Sequence, residues 1–399
     1  MSLETTSTIA HAAAEPRDAL GDYLRDCRDL VLRELERFMP EDSRYRAILY
    51  DLMLDYPLRD AKALRPALCI ATARSLGGSL EAVLQSAAVL ELYHNAFLIH
   101  DDIEDGSERR RDGPTLHRSQ GVPIALNVGD AMLALALEPL FDNMRLVGLG
   151  KALRILKAVA DMARNTAEGQ ALELSWIRQC RWDLRDQDYL RMAHQKTSHY
   201  TFIAPVVVGG LIVGVSDFEL FELRVFATAL GAAFQIQDDI LNLASEHGTY
   251  GKDRLGDLWE GKRTLILLHA LRSATAAERT RAVEILGKER PLAEAPRASV
   301  ETVVRDLWAR SELSDAGYEA LLTALGRAER PRPTKSEADV AFLLELIRRY
   351  GSLDHARQVA RTRALRARHS LERLAPRMRG VVHREFMEQL VDFVVERDH

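Results

Sequence analysis

The sequence predicts an all-α protein. Nearly every segment repeats its apolar residues with helical period, and the alternation of a half-buried strand is absent between turn dipeptides. With 47% hydrophobic and 28% charged residues over 399 positions, the chain also has the composition of an ordinary globular protein with a large core. Asp18 to Phe38 reads as an amphipathic first helix, and Ala63 to Leu76 as another that stops at Gly77-Gly78. From Ser86 to Asp105 there is no Gly or Pro, and apolar residues occupy nearly every face, as in a helix enclosed by others. Gly106 to Val122 is polar, rich in Arg and broken by Gly113, Pro114 and Gly121, which marks a functional loop rather than a spacer. Ile124 to Phe141, Leu149 to Arg181 and Leu184 to His199 follow as helices, with Pro205 inside or at the edge of the next. A further apolar helix ends near Asn242, a charged loop containing Gly runs from Ala244 to Arg263, and a new helix starts at Thr264. Gly287 to Thr334 carries Pro291, Pro296, Pro331 and Pro333 and reads as an excursion with short surface helices over Val300 to Arg310 and Ala316 to Arg327. Ala338 to Leu374 and Met378 to Val395 close the chain. No internal repeat or firm boundary is visible. The expected organisation is a flexible tail over 1–16 and one helical domain over 17–399, with a surface insertion at 288–335.

The balance of charge narrows the partners. A net charge of -5 gives no basic excess, so nucleic acid is not favoured. Cys27, Cys69 and Cys180 are odd in number, far apart and without metal-ligand spacing, which fits a reducing cytoplasm. The longest apolar run, Phe202 to Val215, contains Pro205 and Gly209-Gly210 and is too short to span a bilayer, so no transmembrane segment is expected.

The buried helix ends abruptly in Asp101-Asp102-Ile103-Glu104-Asp105. Asp101 and Asp105 are four apart and share a face, with Asp102 rotated to the side, so three carboxylates converge on one helix mouth. Hard oxygen ligands on a rigid element, with room for water and phosphate oxygens, suit Mg²⁺ better than zinc. A single such cluster reads first as a solvated helix end. Asp238-Asp239-Ile240-Leu241-Asn242 repeats the design after a second apolar helix, and two clusters with level ends would hold a ring of negative charge that only divalent cations relieve. Arg109-Arg110-Arg111 follows the first cluster closely, a basic turn beside an anion site.

Together these motifs resemble the all-trans polyprenyl diphosphate synthases of the farnesyl and geranylgeranyl type, from roughly Tyr23 to Arg397 apart from the excursion. The resemblance implies a helical bundle around a central cavity. It identifies Asp101, Asp102, Asp105, Asp238, Asp239 and Asn242 with the family's two aspartate-rich motifs, which hold three Mg²⁺ ions and an allylic diphosphate. It implies that Arg110 meets the allylic diphosphate, while Lys62, Arg65, His94 and Arg111 receive isopentenyl diphosphate. Asp60-Ala61 stands where the family usually has Gly-Gly, a departure in the backbone path rather than in charge. Lys196-Thr197 resembles the family's Lys-Thr pair, with Ser198 where Gly is usual. Gln235 would face the developing cation, and Lys252 and Lys262 resemble the family's mobile basic loop. Gly169, Gln170 and Glu173 fit as a polar patch facing the cavity.

The chemistry so implied is Mg²⁺-dependent ionisation, condensation and elimination, performed by a cytoplasmic homodimer. Phe97 and Tyr93 lie about 6 and 12 Å below Asp101 along the helix, where the family places the floor of its product tunnel. This favours geranylgeranyl diphosphate as product and farnesyl diphosphate second. A class I terpene cyclase is the competing reading, but it has no use for Lys62, Arg65, His94 and Arg111. A non-catalytic partner subunit would be expected to have lost some of the carboxylates.

Overall fold

A computed structural model describes residues 18–41, 43–59, 61–244, 255–289, 296–327 and 333–396. The expected tail over 1–16, Asp60 and Lys252 lie outside these residues.

Helix α1 (Ala19–Phe38) starts where Asp18 accepts the Gly21 amide at 3.0 Å, and it buries Cys27, Val31 and Leu35, a stripe at four-residue spacing. The stretch that periodicity leaves unassigned holds a π-helical turn, Arg46–Tyr50, and α2 (Asp51–Leu58). Then come α3 (Leu64–Ser75) and the enclosed α4 (Leu80–Glu104), capped at its start by Ser79 and at its end by Asp105. The polar loop is more ordered than expected. Strands β1 (Arg109–Arg110) and β2 (Gly113–Pro114) pair antiparallel with Arg109 opposite Pro114, and α5 (Leu116–Gln120) follows. The single helix expected over Ile124 to Phe141 is two, α6 (Val122–Leu135) and α7 (Leu137–Val147), joined at Ala136.

After α8 (Leu149–Arg178), α9 (Asp186–Ala193) passes through a π-helical segment, His194–Ile203, into α10 (Ala204–Val213). Lys196-Thr197 therefore lies inside a continuous helical run that extends past the His199 end expected for its helix. Pro205 stands in the first turn of α10, and the wider π turn before it avoids the carbonyl clash that proline makes in an unbroken α-helix. Next are α11 (Asp217–Ala244), α12 (Gly256–Glu260), α13 (Leu265–Ser273), whose N-cap is Thr264, and α14 (Ala276–Leu286). The excursion carries α15 (Pro296–Ala309) and α16 (Asp315–Arg327). The helix expected from Ala338 to Leu374 is broken into α17 (Glu337–Arg349) and α18 (Ser352–Leu374) at Gly351, whose φ of +60° only glycine adopts freely. Helix α19 (Val381–Glu396) is last.

The described residues fall into two units. One comprises those up to Gln170, Met192–Gln235 and those from Ala360 on; the other comprises Ala171–Arg191 and Ile236–Val359. In the first, α3 packs on α4, α10 and α19, while α4 also meets α1, α6 and α7. In the second, α17 packs on α12, α13 and α14, and α15 on α16. The boundaries fall within α8, α9, α11 and α18 rather than in linkers, so no composition shift announces them.

Among the described residues, 80–104 and 122–147 are long and apolar enough, by length and composition, to cross a membrane. The first spends that surface inside the protein, whereas α6 and α7 expose much of theirs.

Candidate active site

The mouth of α4 is sorted by depth. Asp101 is 29% exposed, Asp105 is exposed at the helix end, and Asp102 is fully buried. Arg110 holds both oxygens of Asp102, and the Tyr56 hydroxyl donates to its Oδ2 at 2.7 Å. Asp102 therefore points inward onto an arginine and a tyrosine, while Asp101 and Asp105 face outward. Arg110, expected at the allylic diphosphate, is engaged by Asp102 and lies 3.9 Å from Asp101. Arg59 pins the hairpin by donating to the carbonyls of Arg110 and Pro114, both at 2.9 Å.

Lys196 belongs to this mouth, with its Nζ 3.3 Å from Asp101 Oδ1. The approach depends on Gly169 of α8, where an added Cβ would lie 2.3 Å from the Lys196 amide nitrogen. Gln170, next along, donates to Glu104. Ser198, standing where the family's Gly is usual, is fully buried against Gly231 of α11, where an added Cβ would come within 2.6 Å of the serine Cβ.

Arg65 and Arg111 both lie near enough to His94 to act on its charge. His94 is buried, and desolvation first, then the charges of Arg65, Arg111 and Arg110, hold its pKa well below the usual value, so it is the neutral imidazole. Its Nδ1 and the Nε of Arg65 are buried with no hydrogen-bond partner among the described residues. Two orphaned nitrogens, on Arg65 and the neutral His94, with the Arg111 guanidinium nearby make a pocket that a diphosphate would satisfy. Lys62 lies with its Nζ 5.8 Å from the Phe393 ring centroid. The positive φ of this approach is at Ala63, φ +48°, and Ala61 is buried.

Sequence reasoning missed Glu91 and Tyr200. Glu91 is buried one turn before His94; desolvation raises its pKa, opposed by Arg65, Arg111 and then Arg28 among the nearby charges. The Tyr200 ring lies 4.6 Å from the Arg65 guanidinium, stacks on His94 at 5.7 Å and meets Phe97 edge-on at 5.7 Å. Phe97 in turn lies 6.0 Å from Tyr93, so the expected floor residues adjoin the basic pocket through Tyr200.

In the second unit Asp238 is half-buried and Asp239 only 5% exposed, and the Tyr189 hydroxyl donates to Asp239 Oδ2 at 2.7 Å. The second carboxylate of each pair thus accepts from a buried tyrosine, and neither tyrosine was legible in the sequence, because Tyr56 is 46 residues from its partner and Tyr189 is 50. Asn242 accepts the Asp257 amide through Oδ1 at 3.0 Å, and Lys262 Nζ lies 3.4 Å from Asp257 Oδ1. Arg263 anchors the turn beyond, donating to the carbonyls of Gly261 and Trp176 and stacking on Trp182 at 4.1 Å. Glu173 is buried in this unit. Replacing Tyr189 by Phe should raise the Mg²⁺ concentration for half-maximal activity about tenfold, the usual effect of removing a group that orients a ligand. A magnesium titration at saturating substrate measures it.

The donor set fits Mg²⁺ bound together with a diphosphate. All the candidate ligands are hard oxygens. In neither unit do the described residues gather three His, Cys, Asp or Glu groups close enough to hold an ion unaided. Mg²⁺ characteristically takes one or two carboxylates and completes its shell with water and substrate phosphates.

The polyprenyl synthetase family model matches residues 47–303. A short chain isoprenyl diphosphate synthase from Methanothermobacter thermautotrophicus is 29% identical over 366 residues, which is 90% of this chain and 95% of that one. Among solved structures, geranylgeranyl pyrophosphate synthetase from Pyrococcus horikoshii superposes with a TM-score of 0.76 at 26% identity, covering 96% of this chain and all of the other. A polyprenyl synthase from Caulobacter crescentus, complexed with calcium and isoprenyl diphosphate, gives a TM-score of 0.70 at 28% identity, covering 96% of this chain and 98% of that one. On the matched family, the all-helical fold and these relatives, the chain belongs to the polyprenyl synthetase family of prenyltransferases.

Proposed function

We propose that this chain is a short-chain trans-prenyltransferase that adds isopentenyl diphosphate to dimethylallyl, geranyl or farnesyl diphosphate, with geranylgeranyl diphosphate as its main product and farnesyl diphosphate second. The observation that carries the reading is the pocket of Arg65, His94 and Arg111 with its two orphaned nitrogens, in the same unit as the Asp101 mouth. A terpene cyclase, which binds one diphosphate, would have no use for it.

Asp101 and Asp105 in the first unit, and Asp238 and Asn242 in the second, are the residues that would hold Mg²⁺, up to three ions in all, with Asp102 and Asp239 setting the positions of their neighbours. When bound, the metal neutralises the diphosphate and makes it a leaving group. The calcium in the Caulobacter relative supports a divalent metal here. Lys196, beside Asp101, and Lys262 would donate to the departing oxygens, as would Lys252. Arg110 would contact the allylic diphosphate after exchanging Asp102 for it. Thr197 and Gln235 would present oxygens to the developing cation, and the apolar α4 wall keeps water from it. Lys62, Arg65, His94 and Arg111 hold isopentenyl diphosphate, and the proton lost on elimination passes to the pyrophosphate.

The assay is purified chain with Mg²⁺, isopentenyl diphosphate and each allylic primer, with products sized after dephosphorylation. Cyclised hydrocarbon without isopentenyl diphosphate would establish the cyclase instead. Replacing both Phe97 and Tyr93 by Ala should lengthen the product by at least one isoprene unit, because the two rings lie 6.0 Å apart on the side of α4 that carries Asp101, one and two turns before it. Unchanged chain length would move the floor elsewhere, with Tyr200 the next residue to test.

We further place the protein in the cytoplasm, since its three cysteines are unpaired, and read it as a homodimer. Ile124, Leu126, Leu137, Phe141, Leu149 and Leu153 are exposed along α6, α7 and the start of α8, an apolar face that a second copy would cover. Light scattering should give about twice the 44.8 kDa chain mass, and Phe141→Glu should shift it toward the monomer.

A further inference from the structure

The two ends of the excursion at 288–335 meet at one point within the second unit. Glu289 pairs with Thr334 in a parallel bridge; the Glu289 amide donates to the Pro333 carbonyl at 3.0 Å and the Lys335 amide to the Glu289 carbonyl at 2.8 Å. At this foot the Lys335 side chain turns inward. It is 3% exposed, and its ammonium donates to the carbonyls of Trp259 at 2.8 Å and Lys288 at 2.6 Å. Lysine is seldom buried this way, since desolvation works against the charge. Burial lowers its pKa to about 8, so at neutral pH it remains the cation, with Arg263, Asp339, Glu260 and Lys288 the charged groups around it.

Trp259 belongs to α12, which is fastened to the second aspartate cluster at its other end. The Asp257 amide donates to the Asn242 side chain, and the Leu255 amide to the Asn242 carbonyl at 3.3 Å. The Lys262 amide closes the helix onto the Asp257 carbonyl at 2.9 Å. Between them Gly261, at φ +72°, passes so near the insertion foot that an added Cβ would lie 3.3 Å from the Leu286 carbonyl and 3.8 Å from Lys335 Nζ. Asn242, Asp257, α12 and Lys335 thus form one unbroken set of hydrogen bonds, and Lys335 is where the excursion enters it.

We propose that Lys335 is a positioning residue that fastens the excursion to α12 and so holds Asn242, Asp257 and Lys262 in the arrangement that receives a metal-complexed diphosphate. The inference rests on the diphosphate-binding reading of this segment. It gives the excursion a part in catalysis without contact with substrate. Exposed Trp308, which stacks on Tyr318 within the excursion, lies outside the hydrogen-bond set and provides the control.

The test uses the full chain as wild type and as Lys335→Met, Lys335→Gln, Lys335→Arg and Trp308→Ala. Calorimetry with magnesium pyrophosphate reads the site without turnover. Steady-state assays read kcat and the KM for isopentenyl diphosphate. Expected for Lys335→Met are an affinity for magnesium pyrophosphate weaker by about tenfold and a lower kcat, with the KM for isopentenyl diphosphate unchanged. Lys335→Gln, which keeps a donor in the cavity and is the fallback should the Met variant not fold, should lie between. Lys335→Arg should recover most of the affinity, and Trp308→Ala should match the wild type. Wild-type pyrophosphate affinity in the Met and Gln variants, even with a lowered melting temperature, would overturn the proposal and leave Lys335 a structural residue. A wild-type chain that binds no magnesium pyrophosphate would overturn the diphosphate reading itself, and this inference with it.

Discussion

Replacing Asp101 by Asn should lower kcat by about a thousandfold, the scale of losing a charge that stabilises a transition state directly. The substitution is nearly isosteric, at a side chain that is 29% exposed, so the fold should survive it. What disappears is the one carboxylate of the first cluster that faces outward and also pairs with Lys196 at 3.3 Å. Asp102 does not take its place, because it is fully buried and points inward, with the Tyr56 hydroxyl donating to its Oδ2. Magnesium titrations on wild type and variant, with melting curves as the folding control, measure the effect. A loss under about tenfold would place the metal away from this helix mouth.

Replacing Arg65 by Met should raise the KM for isopentenyl diphosphate about a hundredfold, since a charge-assisted bond to phosphate contributes roughly 1.5–3 kcal/mol. The kcat should move far less. The same variant should also show a pH signature through Glu91. Burial holds that carboxyl above its ordinary value of 4.5, and Arg65 is the first of the charges that oppose the shift. A raised folded-state pKa means that the acid form is favoured by folding, so this contribution is complete below about pH 4.5 and is lost as pH climbs through the folded value. Without Arg65 the folded value rises further, and the variant should lose stability toward neutral pH more steeply than the wild type. Adding Glu91→Gln should flatten that slope without restoring the KM. Denaturant midpoints across pH separate the two effects.

The legible part of this protein was its periodicity and its charge pattern. Both aspartate clusters and Arg109-Arg110-Arg111 stand out because helical spacing or a run of like charge displays them along the chain, whereas Lys62, Arg65, His94 and the Lys-Thr pair stand out only through the family resemblance. Arg65 and Arg111 do lie near His94, and Lys196 does reach Asp101. What stayed hidden depends on distant backbone. Tyr56 and Tyr189 look like core aromatics until the fold sets them against carboxylates, and Lys335 sits in a stretch that composition marks only as rich in proline. The π-helical segment is hidden for another reason. Its residues have no unusual propensity, and only the wider turn ahead of Pro205 sets it apart.

The fit of Ser198 against Gly231 has a practical consequence for anyone building chimeras from this protein. Importing the Lys-Thr segment of a relative that carries glycine after the pair would open a hollow against α11, whereas importing a bulkier α11 alone would collide with the serine at 2.6 Å. The two positions form a lock and its key, and a working transplant must carry both.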